Sequence, residues 1–206
     1  MGLNGAKATR AAIKRDIKAR KSVIEQAVAT ILEAMDEELR DGLENTPKRV
    51  ADMYIDEFSV LGDPLKDELS TVFTEEASSG SLVLVRDITL ASMCEHHMLP
   101  YTGIVHIAYI PQGKVLGLSK FARLVKAAGR GFTIQERLGI KIRDALDAAL
   151  KPLGTMVILE AAHTCMIVRG VMDPNSKTTT SSLSGIFRDD PAARAEVLSL
   201  LRSSRL

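Results

Sequence analysis

The sequence predicts an α+β fold with an antiparallel sheet. Two observations carry that reading. Apolar residues recur at helical spacing before about residue 65 and again between Ser119 and Leu150, while short β-branched runs bounded by Gly, Pro and charged residues fill the stretches between and after. The order is two helices, about three strands, two helices, two strands and a helix, and elements that come in separate runs pack as an antiparallel sheet with helices against it. Three segments follow: a basic arm over 1–21, a helical region over 22–65 and a sheet-containing domain over 66–206.

The arm carries Lys7, Arg10, Lys14, Arg15, Lys18, Arg20 and Lys21 against the single acid Asp16, and no serine precedes Ser22. An organelle transit peptide would be Ser-rich, so a solvated or weakly helical arm is expected. Ser22-x-x-Glu25 reads as a capping box opening a helix whose Ile24, Val28, Ile31, Leu32, Met35 and Leu39 form one stripe that must pack on something. After a break at Asp41-Gly42, Thr46-Pro47 reads as a cap and first helical proline. Val50, Met53, Tyr54 and Phe58 continue that helix until Gly62-Asp63-Pro64.

From about Leu69 the strand pattern begins: Val72-Phe73, then Leu82 to Val85, then Ile88 to Leu90, with breaks at Ser79-Gly80 and at charged residues. Gly103 to Ile110 is a strand stopped by Pro111-Gln112-Gly113, and His106 packs within it without assigned chemistry. Ser119 starts a helix that Gly129 stops; Thr133-x-x-Glu136 reads as a second capping box, and its helix, with Ile134, Leu138, Ile142, Leu146 and Leu150 every fourth residue, closes at Gly154. Thr155 to Glu160 and Thr164 to Val171 read as strands. The polar run Thr178 to Ser182 reads as a loop or short edge strand, and Asp190-Pro191 opens a last helix through Leu201.

Lys plus Arg number 27 against 26 Asp plus Glu, so no global charge recruits nucleic acid or an anionic membrane. Neither a membrane-length apolar run nor a secretory h-region is present, and a cytoplasmic location is expected. Ala6 stands where a myristoylation motif wants Ser or Thr, and Ser204-Arg205-Leu206 is one conservative change from the peroxisomal Ser-Lys-Leu address, a three-residue likeness read as coincidence.

Both cysteines and three of the four histidines fall in two short segments, Cys94-Glu95-His96-His97 and His163-Thr164-Cys165. Cys94-x-x-His97 is a spacing from which a thiolate and an imidazole reach one ion. If Cys165 folds back to join them, three protein ligands leave a zinc position open, the catalytic pattern, whereas His96 or His163 as a fourth ligand would make the site structural. Two free buried cysteines with polar surface histidines are the metal-free alternative.

Ser119, with Lys120 and Arg123 in the next turn, makes an anion site at a helix start or else a serine cap with solvated cations. Gln135 and Glu136 side by side can read the N–H and C=O edge of a purine, though Glu136 equally completes a capping box. Along a strand His163 shares a face with Cys165, which would set it over the metal as a general acid or base, and Arg169 on that face can hold a phosphate.

Taken together, Cys94-Glu95-His96-His97, Ala108-Tyr109-Ile110-Pro111, Gly117-Leu118-Ser119-Lys120 with Arg123, Gln135-Glu136-Arg137, His163-x-Cys165 and Arg169-Gly170 occur in the order found in GTP cyclohydrolase I, which the chain resembles from about Ile24 to Leu201. The resemblance implies the tunnelling fold, an antiparallel sheet with two helices on one face, assembled as a homodecamer that shares each active site across an interface. It implies Zn2+ on Cys94, His97 and Cys165, with His163 protonating N7 of GTP and His96 assisting later hydrolysis and ribose rearrangement. Gln135 and Glu136 would recognise guanine, and Ser119, Lys120, Arg123, Arg169 and Arg49 would hold ribose and triphosphate. The implied products are 7,8-dihydroneopterin triphosphate and formate, the entry to tetrahydrofolate and pterin synthesis.

Two positions depart from the family pattern. Asp52 stands where some bacterial members carry a phosphate-binding lysine, and Gly129-Arg130-Gly131-Phe132 replaces a more basic run. Competing expectations are a non-catalytic zinc-binding oligomer of this fold and an enzyme of this fold acting on another purine nucleotide or a pterin.

Overall fold

The computed structural model describes residues 16–35, 40–60, 64–75 and 80–203. Expectations for the arm before Asp16, for Leu39, Gly62, Asp63 and Ser79, and for Ser204-Arg205-Leu206 lie outside the described residues. The chain divides into two compact units between Ser59 and Val60.

In the first unit, helix α1 (Ile17–Ala34) begins five residues before the expected capping box. The Asp16 carboxylate accepts from the backbone N–H of Lys18 at 2.9 Å and of Ala19 at 3.2 Å, and its charge also answers the helix dipole. Ser22 and Glu25 therefore lie inside the helix. Helix α2 (Thr46–Met53) is entered from Asn45 with Pro47 in its first turn, and it ends in a wider π-type turn over Tyr54–Phe58. Lys21 Nζ sits 2.9 Å from Asp52 Oδ1 and 3.0 Å from Asp56 Oδ1, so the charge of Asp52 is answered from α1. No residue of α1 is buried, and Ile31 and Met35 are 56% and 67% exposed. Within the stripe that must pack on something, Ile24, Val28 and Leu32 are half-buried, while Ile31 and Met35 stay exposed.

The second unit opens with a short helix α3 (Pro64–Glu68), which the sequence pattern did not mark. Strand β1 (Val72–Thr74) pairs with β4 (Lys114–Leu116), the strand that follows the Pro111-Gln112-Gly113 turn. The main sheet has the order β5-β2-β3-β6-β7. Its strands are β2 (Val83–Cys94), β3 (Pro100–Ile110), β5 (Phe132–Thr133), β6 (Gly154–His163) and β7 (Thr178–Leu183), all antiparallel except that the two-residue β5 runs parallel to β2.

The two runs expected at 82–85 and 88–90 are one strand. The register of β2 shifts between Val85 and Ile88, Asp87 takes φ 57°, and its N–H donates to His106 Nδ1 on β3 at 3.2 Å. Arg86-Asp87 is thus a bulge whose freed backbone donor is satisfied by a side chain across the ladder, in a conformation Asp tolerates better than most residues.

Helices α4 (Leu118–Ala128) and α5 (Gln135–Leu150) cover one face of the sheet. Leu138, Ile142, Leu146 and Leu150 of α5 are at most 1% exposed, and burial of each such side chain stabilises by about 1.5–3 kcal/mol. Along β6, Val157, Leu159 and Ala161 join that core. Met156 and Ile158 point to the other face, where Phe187 of α7 (Ile186–Asp189) and Val197 of α8 (Pro191–Ser203) meet them. The α+β class, the antiparallel sheet and the two helices on one face agree with the expected tunnelling fold.

Several boundaries move. Gly117, not Ser119, precedes α4, and Ile134, not Thr133, precedes α5, without a side-chain cap at either. Helix α5 stops at Lys151, which takes the left-handed conformation (φ 48°), so Gly154 belongs to β6. Residues 164–171 are not a strand. They start with a helical turn, α6 (Thr164–Ile167), and β7 takes the edge position beside β6. Val168 and Val171, whose β-branched character suggested a strand, are 62% and 73% exposed. No described helix is long and apolar enough to cross a membrane.

Candidate active site

Cys94 is the last residue of β2, where the buried core reaches the end of the sheet. Its N–H donates to Leu99 O at 2.8 Å, and Met98 N–H donates back to Cys94 O at 3.0 Å, with Met98 at φ 54°. This tight return leaves Cys94 buried and sets His96 and His97 on an exposed tip. Glu95 fastens the tip twice, through its N–H to Thr133 O at 3.1 Å and through an ion pair with Arg137.

Helix α6 brings Cys165 to the same place, its first residue tied to the tip's far side by Thr164 Oγ1 donating to Pro100 O at 2.5 Å. Donor atoms of Cys94, His97 and Cys165 all lie within 4.8 Å of one another. The two sulfurs are 4.0 Å apart, twice a disulfide bond length and close to the roughly 3.8 Å edge of a tetrahedron built on Zn–S bonds of about 2.3 Å. Burial pushes the Cys165 thiol up, and the Cys94 sulfur beside it acts the same way. Two thiols and an imidazole are the donor set zinc takes.

Around this centre the sequence-predicted residues divide. His96 Nδ1 lies 3.8 Å from Cys94 Sγ, and Arg169 Nη1 donates to His97 Nε2 at 2.8 Å. His163 ends β6 directly opposite Tyr101 of β3. Their rings stack with centroids 4.5 Å apart and planes 12° apart. Its Nε2 is 2.8 Å from Gln135 Oε1, and burial holds the imidazole below its ordinary range while the charge of Glu136 works against that. The strand expected to align His163 with Cys165 is absent; a strand end and the following helical turn bring them together instead.

Gln135 is turned inward at 2% exposure. Its Nε2 donates to Leu159 O (3.2 Å), Thr178 O (2.9 Å) and Thr180 Oγ1 (3.2 Å). Glu136 beside it is exposed at the start of α5, near the Cys94 end of the sheet because β5 pairs with Met93 and Cys94.

Ser119, Lys120 and Arg123 are at the other end of the unit. The C-terminus of α4 is held beside β2 by Ser92 Oγ donating to Gly129 O at 2.7 Å, and Ser119 lies nine helical residues back, roughly 14 Å along the axis. Lys120 Nζ is 3.3 Å from Glu68 Oε2 on α3. Arg49 is exposed on α2 in the first unit.

Sequence reasoning missed Tyr101, Thr133 and Ser92. The Tyr101 hydroxyl is 2.5 Å from Thr133 Oγ1, which is 2.9 Å from Ser92 Oγ, a buried chain that fixes the ring under His163. Only strand register reveals it.

A protein-family model described as GTP cyclohydrolase I matches residues 24–202, almost the whole of the described chain. The chain belongs to the GTP cyclohydrolase I family. GTP cyclohydrolase 1 of Geobacillus kaustophilus is 52% identical over 182 residues, 87% of this chain and 96% of the relative. The Bacillus subtilis protein of the same name is 51% identical over 86% of this chain and 94% of its own length, and that of Caldanaerobacter subterraneus 49% over 90% and 98%. Membership in the GTP cyclohydrolase I family makes the chain an enzyme, a hydrolase. All six motifs fall inside the matched stretch, and the arm before Ser22 falls outside it.

Proposed function

We propose that the protein hydrolyses GTP to 7,8-dihydroneopterin triphosphate and formate, with zinc on Cys94, His97 and Cys165. The observation that carries this is the convergence of three soft donors from two distant segments, at the sulfur spacing of a tetrahedral site, in a member of this family. Zinc held there supplies Lewis acidity, which makes water a nucleophile toward C8 of guanine near neutral pH. His163 gives a proton to N7 as the five-membered ring opens. Burial that depresses its basicity makes that proton easier to release, and stacking on Tyr101 keeps the ring from swinging away. His96, on the exposed tip, assists the later hydrolysis and ribose rearrangement. Glu136 is free to take the N–H edge of guanine.

Ser119, Lys120, Arg123, Arg169 and Arg49 hold ribose and triphosphate, phosphate oxygens replacing Glu68 as the partner of Lys120. Because Ser119, Lys120 and Arg123 sit a helix length away from the metal end of their own chain, a neighbouring copy supplies them. The exposed Ile31 and Met35 of α1 and the open edge of β7 are surfaces such an assembly, a homodecamer, would cover. Zinc dependence, a cytoplasmic location and a place at the start of tetrahydrofolate or pterin synthesis belong to the same proposal.

Replacing His163 tests the acid role. In zinc-loaded His163→Ala, kcat for formate release falls about 10²–10⁴-fold while zinc content stays at the parent level. An unchanged kcat would mean that N7 receives its proton elsewhere.

A further inference from the structure

We propose that Glu68 is a built-in competitor for the phosphates of the substrate. Its carboxylate occupies Lys120 in the free protein, must give way when a polyphosphate binds, and thereby sets how much negative charge a ligand needs to enter. Its place in catalysis rests on the proposed GTP reading; its physical basis is the arrangement of charge at the start of α4.

The start of α4 favours an anion. Gly117 precedes it without a side-chain cap, its first turn holds no acid, and Ser119, Lys120 and Arg123 lie within its first two turns. Ser119 and Arg123 are exposed, but Lys120 is drawn in. Its Nζ is 3.3 Å from Oε2 of Glu68, the last residue of α3, and the two side chains are only 17% and 28% exposed. Water and salt screen such a pair less than they screen a pair on the open surface, which keeps Lys120 on Glu68 until a stronger anion arrives.

An ammonium has three donors and could touch a carboxylate and a phosphate together. Glu68 would then face the phosphate at close range, like charge against like, so the carboxylate subtracts from affinity whether it swings away or stays. A ligand binds at full strength only to the population in which Lys120 is free, and its apparent affinity falls in proportion to that fraction. A chain of phosphates offsets the loss by reaching Ser119 and Arg123 as well, whereas a lone phosphate ion has fewer contacts with which to do so. Glu68 thus biases the site toward polyphosphate ligands and holds KM above the value that the cations alone would give.

Calorimetric titration of inorganic triphosphate into the full-length, zinc-loaded protein reads this competition without turnover. Glu68→Gln keeps the shape and an acceptor oxygen but loses the charge. It should bind triphosphate about 3–10-fold more tightly than the parent, and KM for GTP should fall by a similar factor with kcat within about twofold. In a Lys120→Gln background the same change should shift triphosphate affinity by less than about 1.5-fold, because nothing is left to compete for. Equal or weaker binding by Glu68→Gln would make Glu68 a brace that aims Lys120 and would overturn the proposal. Tightening that persists in the Lys120→Gln background would overturn it too, since Glu68 would then act by general repulsion. Tighter triphosphate binding by Glu68→Gln, in a protein that releases no formate from GTP, would leave the competition standing and overturn the GTP reading instead.

Discussion

Cys165→Ala protein should carry less than about a tenth of the zinc of the parent after equal exposure to the metal, and its formate release from GTP should fall at least about 100-fold. Loss of a group that merely supports a metal ligand already costs roughly 10–100-fold in metal affinity or activity, so loss of a ligand sulfur belongs at or above the top of that range. The structure makes the effect specific. Cys165 is half-buried on a four-residue helical turn, and the turn is also held by Thr164 donating to Pro100 O, so the backbone around position 165 has support that does not depend on the thiol. Cys165→Ala should therefore keep its circular dichroism and its solution mass while losing metal, as measured by elemental analysis beside light scattering. Full zinc in this variant would mean that another donor completes the site.

The second large effect is on stability. Gly103→Ala should lower the thermal midpoint by about 6–12 °C, the consequence of about 3 kcal/mol of destabilisation in a chain of this size. A Cβ at position 103 would stand 2.0 Å from Glu160 O and 2.6 Å from Ala161 Cα, both backbone atoms of β6 that cannot rotate out of the way. Strands β3 and β6 must then part locally, and they do so two residues from the Tyr101–His163 pair. Weakened stacking under His163 should accompany the stability loss, so kcat at a temperature where the variant is fully folded should also drop. Gly42→Ala is the control, since nothing lies within 4 Å of a Cβ there, and its midpoint should stay within about 2 °C of the parent. Equal midpoints for the two variants would contradict the close approach of β3 and β6.

These effects fall where sequence and structure part company. Periodicity was enough for α5, because Leu138, Ile142, Leu146 and Leu150 all face one core, and spacing was enough to single out Cys94, His97 and Cys165, which the fold brings into one donor cluster. It misled at 164–171, where exposed Val168 and Val171 imitate a strand while the polar Thr178–Leu183 segment is the one that pairs. A backbone ladder can recruit polar residues at a sheet edge because one side of that strand stays open to water. It also divided β2, since a charged pair inside a strand looks like a break unless the partner that satisfies it, His106, is known.

The roles within the site show the same limit. Gln135 and Glu136 are neighbours in a motif and look equivalent, yet the helix turns one into the protein and the other out. Tyr101 and His163 stand 62 positions apart and meet only through register. The answer to Asp52 was similarly remote, since Lys21 belongs to a segment that composition assigned to a loose arm.

The most direct test of zinc-dependent GTP hydrolysis is a single anaerobic incubation of metal-stripped protein with GTP, followed for formate and for the pterin chromophore before and after zinc is restored. Before zinc, GTP should persist. Afterwards, one formate should appear for each GTP consumed, with the pterin rising in step. Zinc bound at one per subunit with GTP left intact would contradict the proposal.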